Sequence, residues 1–182
     1  MNDDKSKAFG PKPSGAHAMN DVRLRAARKR LAESRDQEDA VEGLREIAAN
    51  FLGSEEIGLF RIDRSTETFQ LLWSFGIDVE KCDLLQALGD SGLRRVMSGE
   101  CQVELVAGER SDAMAMAQAF VPIRFANQTI AVLAIFRLLP QKLGFDGSDK
   151  ELLKLLSEEA AKPLFGASAQ SRPVIKAQGM GK

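Results

Sequence analysis

The chain has few of the residues that build common catalytic and metal centres. Its 182 residues include one histidine, two cysteines and no tyrosine. The histidine, His17, lies in a polar N-terminal segment, which argues against a catalytic dyad or a haem site in the core. Cys82 and Cys101 form no CxxC motif, so we expect two reduced cytoplasmic thiols. The sequence predicts no catalytic residue, no metal site and no cofactor.

Long apolar runs are also absent. No run approaches the roughly 20 apolar residues that a membrane-spanning helix needs. The first five residues, Met-Asn-Asp-Asp-Lys, lack the apolar core of a secretory signal. We therefore expect a cytoplasmic protein without membrane insertion.

The net charge of −1 conceals an uneven distribution. Residues 1–35 hold nine Lys or Arg residues against four Asp or Glu, and residues 167–182 hold three against none. Residues 36–166 hold 13 against 22. An acidic body does not favour nucleic acid as a partner. The basic ends remain free to contact an acidic partner, a membrane surface or the body itself.

The length suits one domain with two tails. Residues 1–18 and 167–182 are poor in large apolar side chains and contain glycine and proline breakers, so we predict that both are disordered. Residues 19–35 are predicted to form a basic arm helix in which Leu24, Ala27 and Leu31 share one face. That helix is either a solvated arm or a surface for a partner.

Apolar periodicity predicts the elements of residues 36–166. Val41, Leu44, Ile47 and Phe51 form the stripe of a helix over residues 36–51 that Gly53 ends. A second helix over residues 150–164 is expected to be capped by Asp149 or Ser148. The predicted strands span residues 57–62, 68–75, 102–106, 119–125 and 129–137. The almost continuous apolar run of the last strand is typical of a central strand covered on both faces.

Three segments resemble motifs of the GAF family in order and spacing. They are Leu88-Gly-Asp-Ser-Gly-Leu-Arg-Arg-Val-Met-Ser-Gly-Glu100, the pair Val121-Pro-Ile-Arg and Ile130-Ala-Val-Leu-Ala, and Phe145-x-x-x-Asp149 before Leu152. The resemblance covers residues 36–166 and implies an α+β fold. It implies an antiparallel sheet of about five strands in the order 2-1-5-4-3, with helices on both faces. The related PAS fold is the alternative.

The same resemblance implies a regulatory or sensing role and a pocket under residues 77–118. The candidate pocket residues are Trp73, Phe75, Leu93, Met97, Met114, Met116 and Arg124. The alternative is that the apolar members of this set simply fill the core and that the arginine is solvated.

Two ligand chemistries of the family match this chain poorly. Members that reduce free methionine sulfoxide have Cys-Gly where this chain has Arg94-Arg95, and residues 107–116 contain no cysteine, although Cys82 lies nearby. Members that bind cyclic nucleotides have an Asn-Lys pair that is absent here, and Asp149 is followed by Lys150. We therefore predict that the chain is not an enzyme.

The predicted function is a non-catalytic signalling module that binds a protein partner, with a small-molecule sensor as the alternative. The two outer helices have wide apolar stripes, and we expect the surplus to bury itself in a homodimer. The candidate partner-binding residues are Leu24, Arg28, Leu31, Leu153 and Leu164. The basic segment around Arg28 would instead suit an acidic partner.

Overall fold

The computed structural model describes residues 15–63, 68–77, 95–96, 98–99, 103–105 and 117–166. Helix α1 spans Gly15–Ala32 and helix α2 spans Gln37–Ile47. The Asp36 side chain caps α2 by accepting a 2.8 Å hydrogen bond from the Asp39 amide. A π-helical turn, Ala48–Leu52, continues α2 and ends at Gly53, whose left-handed φ of 66° favours glycine. The predicted helix and its stop are confirmed.

Five strands form one antiparallel sheet. They are β1 (Ser54–Asp63), β2 (Thr68–Phe75), β3 (Glu104–Leu105), β4 (Ala119–Phe125) and β5 (Gln128–Leu138). Their order is β2-β1-β5-β4-β3, and every neighbouring pair is antiparallel. The predicted order and the central position of β5 are confirmed.

The C-terminal helix is two helices rather than one. Helix α3 spans Gly147–Glu159 and helix α4 spans Ala161–Phe165. Pro163 has no amide hydrogen, and its ring crowds the carbonyl of Glu159, so the α-helical ladder is interrupted between the two. The cap is Asp146, which corrects the prediction that Asp149 or Ser148 caps this helix.

The sheet has two apolar faces because side chains alternate along each strand. The helix face, against α1–α4, includes Leu133 and Ile135 of β5. The far face includes Val132, Ala134 and Phe136 of the same strand, together with Phe60 and Phe120. Both faces are buried, which explains the uninterrupted apolar run of β5.

Helical residues lie on the far face as well as on the helix face. Val96 is helical and fully buried among the far-face side chains. Its carbonyl accepts a 3.3 Å hydrogen bond from the hydroxyl of Thr129 on β5. The two contacts fix this helical residue against the centre of the sheet.

Helix α1 is part of the helix layer, which corrects its interpretation as a separate arm. It begins at Gly15, inside the segment predicted to be disordered, and packs on α2 and α3. Ala27 is fully buried and Leu31 is 2% exposed. Residues 1–14 and 167–182 lie outside the described residues, so the predicted disorder of the tails remains a prediction there.

A two-residue turn joins β4 to β5. Ala126 and Asn127 both have positive φ, of 48° and 64°, and Phe125 pairs with Gln128 across the turn. This is the type I′ geometry that suits the twist of antiparallel strands and favours Asn-Gly. Asn127 adopts it readily, whereas the Cβ of Ala126 makes the same conformation unfavourable.

We expect Ala126→Asn to raise the free energy of unfolding by about 0.5–1 kcal/mol, because asparagine tolerates the left-handed region better than alanine. Urea unfolding measures the change. The matched control is Ala26→Asn on the exposed side of α1, where the lower helix propensity of asparagine should reduce stability. Equal destabilisation by both variants would contradict the strain at Ala126.

Candidate functional site

A buried carboxylate joins α1 to the start of α3. Asp149 is 1% exposed and binds two cations: Arg23 of α1 at 2.8 Å and Lys142 at 2.7 Å. Arg23 also donates to the carbonyl of Phe51 at 2.5 Å. We call Arg23, Phe51, Lys142, Asp146 and Asp149 the Asp149 junction, because they connect α1, the π-helical turn, the loop after β5 and α3.

The local sequence positions the carboxylate of the junction through a reciprocal cap. The Asp146 side chain accepts from the Asp149 amide at 2.8 Å, and the Asp149 side chain accepts from the Asp146 amide at 3.0 Å. This capping box occupies the first turn of α3 and holds the Asp149 carboxylate beside the two cations.

The environment of Asp149 keeps it ionised. Burial raises the pKa of its carboxyl, but the hydrogen bonds from Lys142, Arg23 and the Asp146 amide outweigh burial, so the pKa is lowered from its usual value. The buried charge is therefore stabilised by direct partners rather than by water.

Further ion pairs attach α1 along its length. Arg28 binds Glu159 of α3 at 2.8 Å. Arg30 binds Asp39 at 2.9 Å and Glu46 at 2.6 Å, both on α2. Because Arg23 lies beside Asp149 and Arg28 beside Glu159, α1 and α3 run in the same direction.

The opposite side of α1 is exposed and mixes apolar with basic residues. Met19 is 71% and Val22 is 65% exposed, and the Lys29 side chain is 73% exposed. Arg25 is exposed on the same side of the helix. We call these four residues the outer face of α1. Met19 and Val22 are two of the three large hydrophobic residues that are exposed within the described chain.

The leucines predicted to form a partner surface are packed inside the chain. Leu31, Leu153 and Leu164 are at most 2% exposed, and Leu24 packs partly buried against the same core. Within the described helices these four leucines therefore add little to the exposed apolar surface, because α1 packs on the stripe of α3. Arg28 is occupied by Glu159.

The aromatic pair predicted to line a pocket lies on the helix face. Trp73 and Phe75 pack against that core, with ring centroids 6.3 Å apart, and Arg45 of α2 lies 4.8 Å from the Phe75 ring centroid. They are therefore on the opposite side of the sheet from Val96, which corrects their predicted position under residues 77–118.

The other predicted pocket residues are less fully placed. Arg124 is half-buried and donates to the carbonyl of Gly99 at 3.4 Å. The described far face is filled by aromatic and aliphatic side chains, and the buried hydroxyl there, that of Thr129, bonds to Val96. Leu93, Met97, Met114 and Met116 lie outside the described residues.

A groove lies at the other end of the helix layer. It encloses about 720 Å³ between the end of α1 and α4, and Arg28, Leu31, Lys162, Leu164 and Phe165 are among its lining residues. Basic and acidic side chains both line it, so its charge selects neither anions nor cations.

The described residues contain neither a metal-binding cluster nor a membrane-spanning helix. Across the described ranges, no cluster of three or more His, Cys, Asp or Glu side chains has the arrangement of a metal site. None of the helices described is both long and apolar enough to cross a bilayer.

The junction was missed at the sequence level, although one signal for it is present. The spacing Asp146-x-x-Asp149 is that of a capping box, which would have placed the cap three residues earlier. The cations that complete it are Lys142, on the preceding loop, and Arg23, which is 126 residues away in sequence, and no local pattern identifies a pair so far apart.

Comparison with solved structures identifies the fold. The GAF domain of a phosphoenolpyruvate-protein phosphotransferase from Acinetobacter matches with a TM-score of 0.61 at 18% identity, over 84% of this chain and 96% of that one. The corresponding domain from Coxiella burnetii matches with a TM-score of 0.58 at 16% identity, over 84% and 97%. The chain therefore has the GAF-type fold that the motifs implied.

An enzyme also shares this fold. The free methionine-R-sulfoxide reductase of Neisseria meningitidis, solved in complex with its substrate, matches with a TM-score of 0.53 at 16% identity, over 90% of this chain and 99% of that one. No protein-family model matches the sequence, and no curated protein matches it.

We expect Asp149→Asn to lower the free energy of unfolding by about 2–4 kcal/mol, because it leaves two cations without their shared buried anion; their partial exposure reduces the loss. Urea unfolding measures the change. Glu158→Gln is the matched control on the exposed side of α3, where its 4.0 Å pair with Lys154 stays within the helix, and it should cost less than about 0.5 kcal/mol. Equal losses in the two variants would contradict the central place of Asp149.

The contribution of Asp149 should also depend on pH. Its pKa is lower in the folded chain than in the unfolded chain, so the folded state binds fewer protons. The stabilisation is complete above the unfolded pKa of about 3.9 and is lost as the pH falls through the lowered folded value. The stability difference between the native chain and Asp149→Asn should therefore shrink in acid, and a constant difference from pH 7 to pH 3 would contradict this.

Proposed function

We propose that this chain is a non-catalytic, cytoplasmic regulatory module that binds a signalling protein through the outer face of α1. The observation that supports it is the contrast between the two sides of that helix. The inner side is held by the Asp149 junction and further ion pairs, while the outer side exposes Met19 and Val22. A rigidly held helix with exposed apolar side chains is suited to protein contact.

The charge of the outer face favours an acidic partner. Arg25 and Lys29 flank the apolar residues, and the 3.8 Å pair of Lys29 with Glu33 joins two exposed side chains, so it competes weakly with a partner carboxylate. An acidic helix with a small apolar stripe would match both features.

The non-catalytic part of the proposal is supported by the cysteine content. The chain has two cysteines, and Arg94-Arg95 replaces the Cys-Gly of the methionine sulfoxide reductases that it resembles. A thiol reductase needs a nucleophile and a resolving partner.

A homodimer through the outer helices would have to use the same outer face. Leu24, Leu31, Leu153 and Leu164 pack within the chain. Such a dimer would also bring the basic side chains of two α1 helices together, which disfavours it relative to an acidic partner.

A small-molecule sensor is the second candidate function. It is favoured by the fold, because the methionine sulfoxide reductase of the same fold was solved with its substrate bound. Native mass spectrometry of the full chain tests it. A bound small molecule of constant mass would favour the sensor, whereas a mass equal to that of the chain alone would favour the protein-binding module.

The protein contact is tested by a photo-crosslinking amino acid at position 22 in cells that make the chain. The control position is Lys154, which is half exposed on α3. We expect one protein to crosslink at position 22 and not at position 154, because only the outer face of α1 should meet it.

The crosslinked protein, once purified, should bind the native chain, and Val22→Asp should weaken the dissociation constant at least about tenfold. Lys154→Glu should leave it unchanged. A partner that binds both variants equally, or crosslinks equally from both positions, would overturn the assignment of the outer face.

A further inference from the structure

Strand β2 is an edge of the sheet. Within the described residues its ladder has one neighbour, β1. In an antiparallel ladder, alternate residues direct their amide and carbonyl groups away from the neighbouring strand. No second strand among the described residues pairs with these groups of β2, and such groups can accept another strand.

The sequence of β2 lacks two common protections of an edge strand, charged residues and proline. Natural edge strands are commonly very short or contain charged residues or proline. The stretch from Thr68 to Ile77 contains neither a charged residue nor a proline. The opposite edge differs, because β3 is two residues long and contains Glu104.

A bulge divides β2 and sets the direction of its aromatic side chains. Leu59 of β1 lies opposite Trp73 and Phe60 lies opposite Leu71, so Leu72 is the extra residue. Leu71 packs on the far face, whereas Trp73 and the following Phe75 pack on the helix face.

The two aromatic rings form a platform beside the edge. They are half-buried and stacked, with an interplanar angle of 10°. Arg45 covers the Phe75 ring, and its guanidinium is ion-paired with Glu42 on α2. The platform is thus fixed in position and its neighbouring charge is paired, which makes it suitable for apolar contact.

We propose that β2 pairs antiparallel with β2 of a second copy of this chain, with Ser74 on the two-fold axis. In this register Trp73 lies opposite Phe75 of the second copy, and the same contact recurs on the other side of the axis. Opposite residues of an antiparallel pair share a face, so all four rings meet on the helix face. The two five-stranded sheets then form one continuous sheet.

A second copy matches this edge better than an unrelated strand. Any extended peptide could use the outward backbone groups, but the self-pairing also places an aromatic ring against each ring of the platform. The uncharged stretch brings no like charges into direct opposition. A contact in which the same patch serves both partners closes at two copies.

A cysteine at the axis tests the register. We expect Ser74→Cys in the full chain to form a disulfide between residues 74 of two copies under mild oxidation, because directly opposite residues lie within disulfide reach. Peptide mapping by mass spectrometry separates this link from products of Cys82 and Cys101. Gln141→Cys, in an exposed loop, is the matched control and should crosslink at least about tenfold more slowly.

Sedimentation equilibrium tests the interface without a crosslink. Ser74→Lys brings two like charges together at the axis and should weaken dimerisation at least about tenfold, while Gln141→Lys and Val22→Asp should not. Circular dichroism checks that each variant is folded. If Ser74→Lys does not fold, the crosslinking result decides.

Three results would overturn the β2 interface. The first is a native chain that is monomeric at about 100 µM, and the second is equal crosslinking of Ser74→Cys and Gln141→Cys. The third is a dimer that persists in a folded Ser74→Lys variant but is lost in Val22→Asp. The last result would assign self-association to the outer face of α1.

Discussion

The ionised carboxylate of Asp149 is the contact on which the arrangement of the helices depends. One side chain pairs with both Arg23 and Lys142 and closes the capping box of α3. A buried carboxylate is costly unless it is fully satisfied, and here each partner comes from a different part of the chain. Asp149 therefore holds together the loop after β5, the first turn of α3 and helix α1. Displacing any one of these segments would leave a charged side chain on another segment without its partner.

The sheet supplies the second constraint, because β5 is covered on both sides. Leu133 and Ile135 point to the helices and Val132 and Phe136 to the far face. The helix face meets α3 directly: the hydroxyl of Ser157 donates to the carbonyl of Pro122 on β4 at 2.5 Å. The Ser157 hydrogen bond thus aligns α3 with the sheet, and the ion pairs align α3 with α1. Apolar packing provides most of the buried area between α3 and these two neighbours.

The apolar patterns of the strands and the three family-like motifs were sufficient to predict the sheet. The bounds of β4 match the prediction, and the strand order follows from the family resemblance. The position of Trp73 and Phe75 was not predictable, because simple alternation from Leu71 would put all three on one face, and the bulge at Leu72 reverses that parity. The docking of α1 was missed because its apolar seam is narrow. Helix α1 is held by ion pairs between its arginines and carboxylates that lie more than a hundred residues later in the sequence. Apolar periodicity does not detect such pairs.

The parallel course of α1 and α3 separates the points at which the chain enters and leaves the fold. Gly15 lies at the end of the helix layer where α3 begins, and Gly166 lies beside the groove at the other end. An 18-residue helix is about 27 Å long. Gly15 and Gly166 therefore lie at opposite ends of the layer. A pull between them would act along α1 and α3 as a shear, and several ion pairs would resist it together.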